Sequence, residues 1–363
     1  PLDIRRSLSR FENLREIGEG SFSVVYYGVD KENGRQVAIK SCLKAQIIKE
    51  KKAQYVHREK AALGRLSDGS NGHHPLILKL YATLQDQDHL YFVLSYAENG
   101  DLLHHMWKQP NRRFSLSATV FYTAEIVSAM QHCHKLSIVH RDIKPENVLL
   151  QAGGHIVLSD FGSCKDLSHS SAPSASQQSA REAAVAKRKA EVNRHEGSDS
   201  SSSGDDGQPP PSRLVRRCSF VGTAQYVSPE ILKGGQTTRA MDYWSLGVVI
   251  FQLLTGRHAF HDEAEYLIFR RVQSALFSFP DDFPPIAKDL VEKLIVVEPS
   301  ARLGCASCGD VSETAPGGAS RVTTVADDDE GPALLRNHAF FVDVSIPWDD
   351  ITSMRPPEST VVG

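Results

Sequence analysis

The sequence predicts an α+β protein of two lobes: a small β-rich N-terminal lobe and a larger, mostly helical C-terminal one. Three observations predict this. Strand patterns dominate residues 11–95, helical periodicity dominates from Asp101 onward, and a short polar joint at residues 96–100 separates them. In order, residues 11–40 read as strand, glycine-rich turn, strand, turn, strand. Val24, Val25, Tyr26, Val37, Ala38 and Ile39 flank turn signals at Gly20 and at Asn33-Gly34. Helical patterns follow at 43–50 and 55–66, then strands at 78–84 and 90–95. The clearest later helices are 120–134, 240–254 and 287–296.

The expected boundaries are an N-terminal extension at 1–10, one domain at 11–341 (lobes 11–95 and 101–341, joint 96–100) and a tail at 342–363. Two segments interrupt it. Residues roughly 167–214 are rich in Ser, Ala, Gly and Pro, with a basic run at 187–189 and an acidic serine tract. Residues roughly 306–331 are similar and end in an acidic run. Few aromatics in either leave little to build a core with, so both read as disordered inserts.

Bulk numbers narrow the function classes. The 363 residues carry a net charge of −3, with 40% hydrophobic and 23% charged residues. That balance offers no electrostatic case for nucleic acid or an anionic membrane surface. No run approaches the roughly 18 apolar residues of a membrane-spanning helix, and no secretory leader is visible. The chain opens at Pro1 rather than Met, as a fragment would, and targeting information can lie beyond either end. Six scattered cysteines suit reduced thiols and a cytoplasmic setting; nuclear shuttling through 187–189 stays open. Cys305 and Cys308 form a CxxC without the second ligand pair that structural zinc needs.

Four motifs carry chemistry. Gly18-Glu19-Gly20-Ser21-Phe22-Ser23 lies between two strands, where glycines let backbone approach phosphates. Any hairpin turn could look the same, and Ser23 stands at the third glycine position. Val37-Ala38-Ile39-Lys40 ends the third strand with an ammonium, for which Glu59 is the candidate partner. In His140-Arg141-Asp142-Ile143-Lys144-Pro145-Glu146-Asn147, a potential base, Asp142, precedes by five residues a metal-binding amide, Asn147. Asp160-Phe161-Gly162 then offers a second hard oxygen ligand. Each is weak alone; their ordered set is the protein-kinase signature.

The chain resembles the AGC group of serine/threonine protein kinases, and within it the 3-phosphoinositide-dependent kinases. The carrying residues are 18–23, 44–50, 90–100, 121–129 and 219–230, and the likeness runs from about residue 10 to 350 outside the two inserts. It implies the two-lobed protein kinase fold with a regulatory helix in the small lobe, ATP and Mg2+ as cofactors, and proteins as substrates. Asp142 would be the base and Lys144 would contact the γ-phosphate. Lys40, paired with Glu59, would hold the other phosphates, with Asn147 and Asp160 on the metal. Residues 18–23, Val25, Ala38, Leu94, Ser95, Tyr96, Ala97, Asp101, Glu146 and Leu149 would complete the ATP site. Ser219 matches an activation-loop phosphorylation site, with Arg58, Arg141 and Lys165 to anchor its phosphate. Lys44, Ile47, Ile48, Val56, Lys60, Thr83, Gln85 and Leu90 would line a docking pocket for the hydrophobic motif of client kinases, with Lys60, and Arg5 as a second candidate, near a client phosphate.

Three departures stand out. Lys60 replaces an arginine, Ala53 replaces a larger aliphatic, and the 167–214 insert is foreign to the group. The pleckstrin-homology domain that usually accompanies such kinases is not among these residues, so membrane recruitment is expected only through other regions. A monomer is expected. Two alternatives remain: an AGC kinase with other substrates, and a pseudokinase scaffold, against which Lys40, Asp142 and Asp160 are all present.

Overall fold

A computed structural model describes residues 8–168, 224–305 and 330–357. Five antiparallel strands, β1 (Phe11–Glu19), β2 (Ser23–Asp30), β3 (Gln36–Leu43), β4 (Leu80–Gln85) and β5 (His89–Ser95), form one sheet in the order β1-β2-β3-β5-β4. Alternation sends Val37, Ile39 and Val93 into a small core with Leu8, Phe11 and Tyr91. The opposite face carries Val25, Ala38, Lys40 and Leu94, paired across strands as Val25 with Lys40 and Ala38 with Leu94. Helices α1 (Lys44–Lys49) and α2 (Ala53–Ser67) come between β3 and β4.

Sequence periodicity starts the fourth strand at Leu78, two residues early. The amide of Leu78 instead donates to the Leu158 carbonyl, and Ile77 bridges Leu158 in parallel, so the chain first ties itself to the second lobe.

That lobe contains α3 (Leu102–Lys108), α4 (Leu116–Lys135), β6 (Ile138–Val139), β7 (Val148–Leu150), β8 (Ile156–Leu158), α5 (Pro229–Leu232), α6 (Ala240–Thr255), α7 (Glu265–Gln273), α8 (Pro285–Leu294), α9 (Glu330–Arg336) and α10 (Ala339–Val342). α6 buries every residue from Ala240 to Leu254, as a helix that is apolar all round must. It stops at Gly256, whose φ of +70° and whose approach to the Arg112 carbonyl (2.7 Å from where a Cβ would lie) both require glycine. Ser115 caps α4 by accepting from the Ala118 amide at 3.2 Å.

The 169–214 part of the first insert and residues 306–329 of the second lie outside the described residues; α9 begins at Glu330, within the span read as the second insert. Part of the expected tail packs onto the core, with Ile346 and Ile351 buried. Cys42, Cys133, Cys164 and Cys305 are buried, and Cys308 is outside the described residues. No helix among the described residues is long and apolar enough to cross a membrane.

Between the end of α2 and α4 lies a group of histidines. The rings of His74 and His132 are 5.0 Å apart, and His74 reaches Ser128 at 3.1 Å. Burial, followed by the charges of His132, His73 and Arg336, pushes His74 down to about 4. His73 and His132 are lowered too, chiefly by burial. A histidine with a lowered folded pKa contributes stability above the unfolded value of about 6.5, which is lost as pH falls toward the folded value. His155, raised by Glu125, acts in the opposite sense. Stability is therefore expected to fall between pH 7 and 5, with His74 alone contributing roughly 2 kcal/mol. Urea denaturation at the two pH values checks this, and His74→Gln should flatten the slope.

Candidate active site

The site grows from the sheet face that carries Lys40. Its ammonium meets both carboxylate oxygens of Glu59, at 2.7 and 2.8 Å, because α2 lays that buried side chain under β3. Burial opposes the charge on Lys40, but Glu59 and Asp160 outweigh it and raise its pKa. The turn above is closed by the Gly20 amide donating to the Ser23 carbonyl at 2.7 Å, and a Cβ on Gly20 would meet Ser23 Oγ at 3.0 Å. Gly18 and Glu19 end β1, Ser21 and Phe22 form the turn, and Ser23 opens β2. Val25, Ala38 and Leu94 continue the face toward Ser95, Tyr96 and Ala97 at the joint. Leu149 on β7 is held near it by a backbone bridge to Asp101.

The opposite wall is the loop between β6 and β7, joined by the turn that follows β8. The carboxylate of buried Asp242 accepts from the amides of His140 (2.9 Å) and Arg141 (2.7 Å), which fixes the loop from beneath. His140 receives the Asp142 amide on Nδ1, so its Nε2 carries the proton and donates to the Ser159 carbonyl at 2.9 Å. Asp142 is held by Lys144 and by Asn147 Nδ2, each at 3.0 Å from Oδ2. Asn147 Nδ2 also donates to the Asp142 carbonyl at 2.7 Å, so its amide oxygen remains as an acceptor. Asp160 sits in the left-handed region (φ +57°, ψ +73°), and Phe161 behind it is fully buried against His140. Burial raises the Asp160 pKa, yet Lys40 and the Tyr55 hydroxyl together hold it below the usual carboxylate range. Glu146 is raised by burial, with Asp142 and Asp101 nearby; Asp101 caps α3 by accepting from the His104 amide at 2.7 Å.

The expected cofactor fits this donor set. An ionised Asp160 and a free Asn147 amide oxygen are the hard ligands that magnesium takes alongside phosphate oxygens and water. Among the described residues no cluster of three or more His, Cys, Asp or Glu could hold a metal by itself, so such an ion would need the nucleotide's oxygens as well.

Sequence reasoning missed Tyr55. Its hydroxyl donates to Asp160 Oδ1, its ring stands edge-on to Phe22 at 5.8 Å, and burial raises its pKa, with Asp160, Glu59 and Asp142 adding to the effect. The available signal was its position four residues before Glu59, on the same helix face.

Of the phosphate anchors, Arg58 and Arg141 come together: burial and then the charge of Arg58 lower the Arg141 pKa. Among the described residues neither guanidinium forms an ion pair. Lys165 is exposed. Ser219 and Arg5 lie outside the described residues.

A second concavity, of about 380 Å³, is lined from the expected set by Ile47, Val56, Lys60, Thr83, Gln85 and Leu90. Ala53, His57, Leu84, Tyr91 and Phe92 complete it. Two expected residues are corrected. Lys44 does not line the cavity; its ammonium bonds to the Asp86 carbonyl, which draws it aside. Ile48 does not line it either: helical phase turns it outward at 74% exposure, while adjacent Ile47 is 5% exposed.

Residues 11–184 and 205–311 match the model of the protein kinase domain. The chain is 38% identical over 344 residues to "3-phosphoinositide-dependent protein kinase 1" of Rattus norvegicus, an alignment covering 95% of this chain and 49% of the relative. It is 34% identical over 351 residues to the protein of that name in Arabidopsis thaliana, covering 96% and 58%. With "Serine/threonine-protein kinase PKH1" of Saccharomyces cerevisiae it shares 35% over 302 residues, covering 83% and 34%. The chain thus spans about half the length of the curated relatives it matches.

Proposed function

Since the chain belongs to the protein kinase family, as a serine/threonine kinase of the 3-phosphoinositide-dependent type, we propose that it phosphorylates the activation loops of other AGC kinases docked in the cavity beside α2. The observation that carries the reading is the convergence of three side chains distant in sequence. Lys40, held by Glu59, and Asp160 share charge across one cleft, and Asp142 stands opposite with Lys144 and Asn147 on its carboxylate.

In this mechanism Asp142 accepts the proton of a serine or threonine hydroxyl and aims its oxygen. Lys144, three ångströms from that carboxylate, bridges toward the phosphoryl group in flight. Lys40 orients the neighbouring phosphates, and Glu59 keeps the ammonium in place. Mg·ATP, when bound, supplies the electrophilic phosphorus and the charge neutralisation, with Asn147 and Asp160 as the metal's protein ligands. Val25, Ala38, Leu94 and Leu149 offer an apolar slot for the adenine ring. Arg58 and Arg141, two cations side by side, favour a phosphorylated Ser219 as their counter-ion.

The docking part rests on the cavity's make-up. An apolar floor of Ile47, Val56, Leu90 and Phe92 suits aromatic side chains, and Lys60 and His57 at its edge suit an acidic or phosphorylated neighbour. Label transfer from γ-labelled ATP to an intact AGC kinase carrying its hydrophobic motif tests the whole reading. Thr83→Trp, which fills the cavity, is expected to raise KM for that client at least tenfold and leave KM for a short serine peptide unchanged. Equal effects on both substrates would remove the docking claim and leave the kinase. An AGC kinase with other targets would phosphorylate the peptide and ignore the client with or without the substitution.

A further inference from the structure

We infer that Tyr55 is a gate on the metal-binding carboxylate: its hydroxyl holds Asp160 Oδ1 and must leave before Asp160 can accept magnesium. The inference rests on the kinase reading of the site, because it assigns Asp160 to the metal. The strands and loops supply the other residues around Asp160, and Tyr55 shares its helix with Glu59. It comes from α2, one turn before Glu59, and its ring enters the cleft between the glycine-rich turn and Gly162.

The fit is close on both sides. Phe22 approaches edge-on at 5.8 Å with an interplanar angle of 83°. A Cβ at Gly162 would fall 1.9 Å from two ring carbons of Tyr55, so only glycine leaves room for the ring there. The hydroxyl points at Asp160 and faces Glu59 and Asp142 as well. A phenol can supply these carboxylates with one proton's worth of partial charge. Magnesium demands near-octahedral oxygen geometry at roughly 2.0–2.1 Å, with waters and phosphates filling the shell. A bulky ring hydrogen-bonded to one oxygen of Asp160 obstructs that shell. Hydroxyl and ion are therefore alternative partners of one carboxylate, and arrival of the metal with its nucleotide exchanges one for the other.

The test uses the full chain with Mn2+ or Mg2+ titrated against a fixed, non-hydrolysable ATP analogue in a calorimeter. Tyr55→Phe keeps the ring and removes the competing bond. It is expected to lower the metal concentration for half-saturation roughly tenfold, the scale of one hydrogen bond to a charged group. Nucleotide affinity without metal should not change. The melting temperature should fall in the metal-free protein and stay level once metal and nucleotide are bound. Tyr55→Leu, which also withdraws the ring, should tighten metal binding in the same direction. Unchanged half-saturation in both variants overturns the gate. Weaker metal binding also overturns it, by showing that Tyr55 and the ion hold Asp160 together. If the unsubstituted chain binds no metal–nucleotide at all, the kinase reading fails and not the gate alone.

Discussion

Asp142→Asn is expected to lower kcat by roughly a thousandfold and leave the fold intact, since a positioned base contributes about 10²–10⁴ in rate. The substitution is nearly isosteric. The amide it introduces can still accept from Lys144 or from Asn147 through its carbonyl oxygen, so the loop need not rearrange. It lacks the negative charge that attracts a hydroxyl proton and that partners Lys144 at 3.0 Å. KM for ATP should change little, because the contacts of the Asp142 carboxylate are with Lys144 and Asn147, whereas Lys40 is held by Glu59. Steady-state kinetics with a serine peptide, beside a thermal melt, read both parts. A rate within threefold of the parent would mean that Asp142 is not the base.

Arg302→Ala is expected to cost about 3–5 kcal/mol of stability, the range for breaking a buried ion pair from one side. Arg302 is completely enclosed. Its two terminal nitrogens reach the Glu230 oxygens at 2.6 and 2.7 Å, and the guanidinium also donates to the carbonyls of Ala240 (2.9 Å) and Val296 (2.8 Å). Its plane lies 5.1 Å from the Trp244 ring. Truncation strands the Glu230 carboxylate and these carbonyls together, and opens a cavity beside Trp244. At a few degrees per kcal/mol for a domain of this size, the melting temperature should drop on the order of 10 °C. Arg302→Lys keeps the charge without the planar fork and should recover part of the loss. A shift below about 1 kcal/mol for Arg302→Ala would show that the pair contributes little net stability.

Much of the site could be read before any coordinates. Lys40 with Glu59 was expected as a pair and is formed, whereas the Glu230–Arg302 pair and the hold of Asp242 on the loop backbone join separate elements of the second lobe. Ile47 and Ile48 were both expected at the docking pocket, and helical phase leaves only Ile47 there. The limits are equally specific. Nothing local marks Lys44 as drawn to the Asp86 carbonyl, or His57 as a cavity wall. Those facts depend on where β4 and β5 pass relative to α2. Nor does spacing along the chain reveal that His73, His74 and His132 meet, because they stand on different elements.

From the chain alone came the five strands of the first lobe, the longest helices, the punctuating glycines, and Lys40, Glu59, Asp142 and Asp160 as the charged groups of the site. These depend on neighbours a few residues away, through side-chain alternation, helical phase and turn geometry. Tertiary packing decided the rest: the phenol of Tyr55 meets a carboxylate 105 positions further on, and Arg302 meets one 72 positions earlier. Such meetings follow from how the sheet, α2 and α6 pack against one another. That arrangement is set by the apolar surface buried in the whole core, which no short window of residues contains.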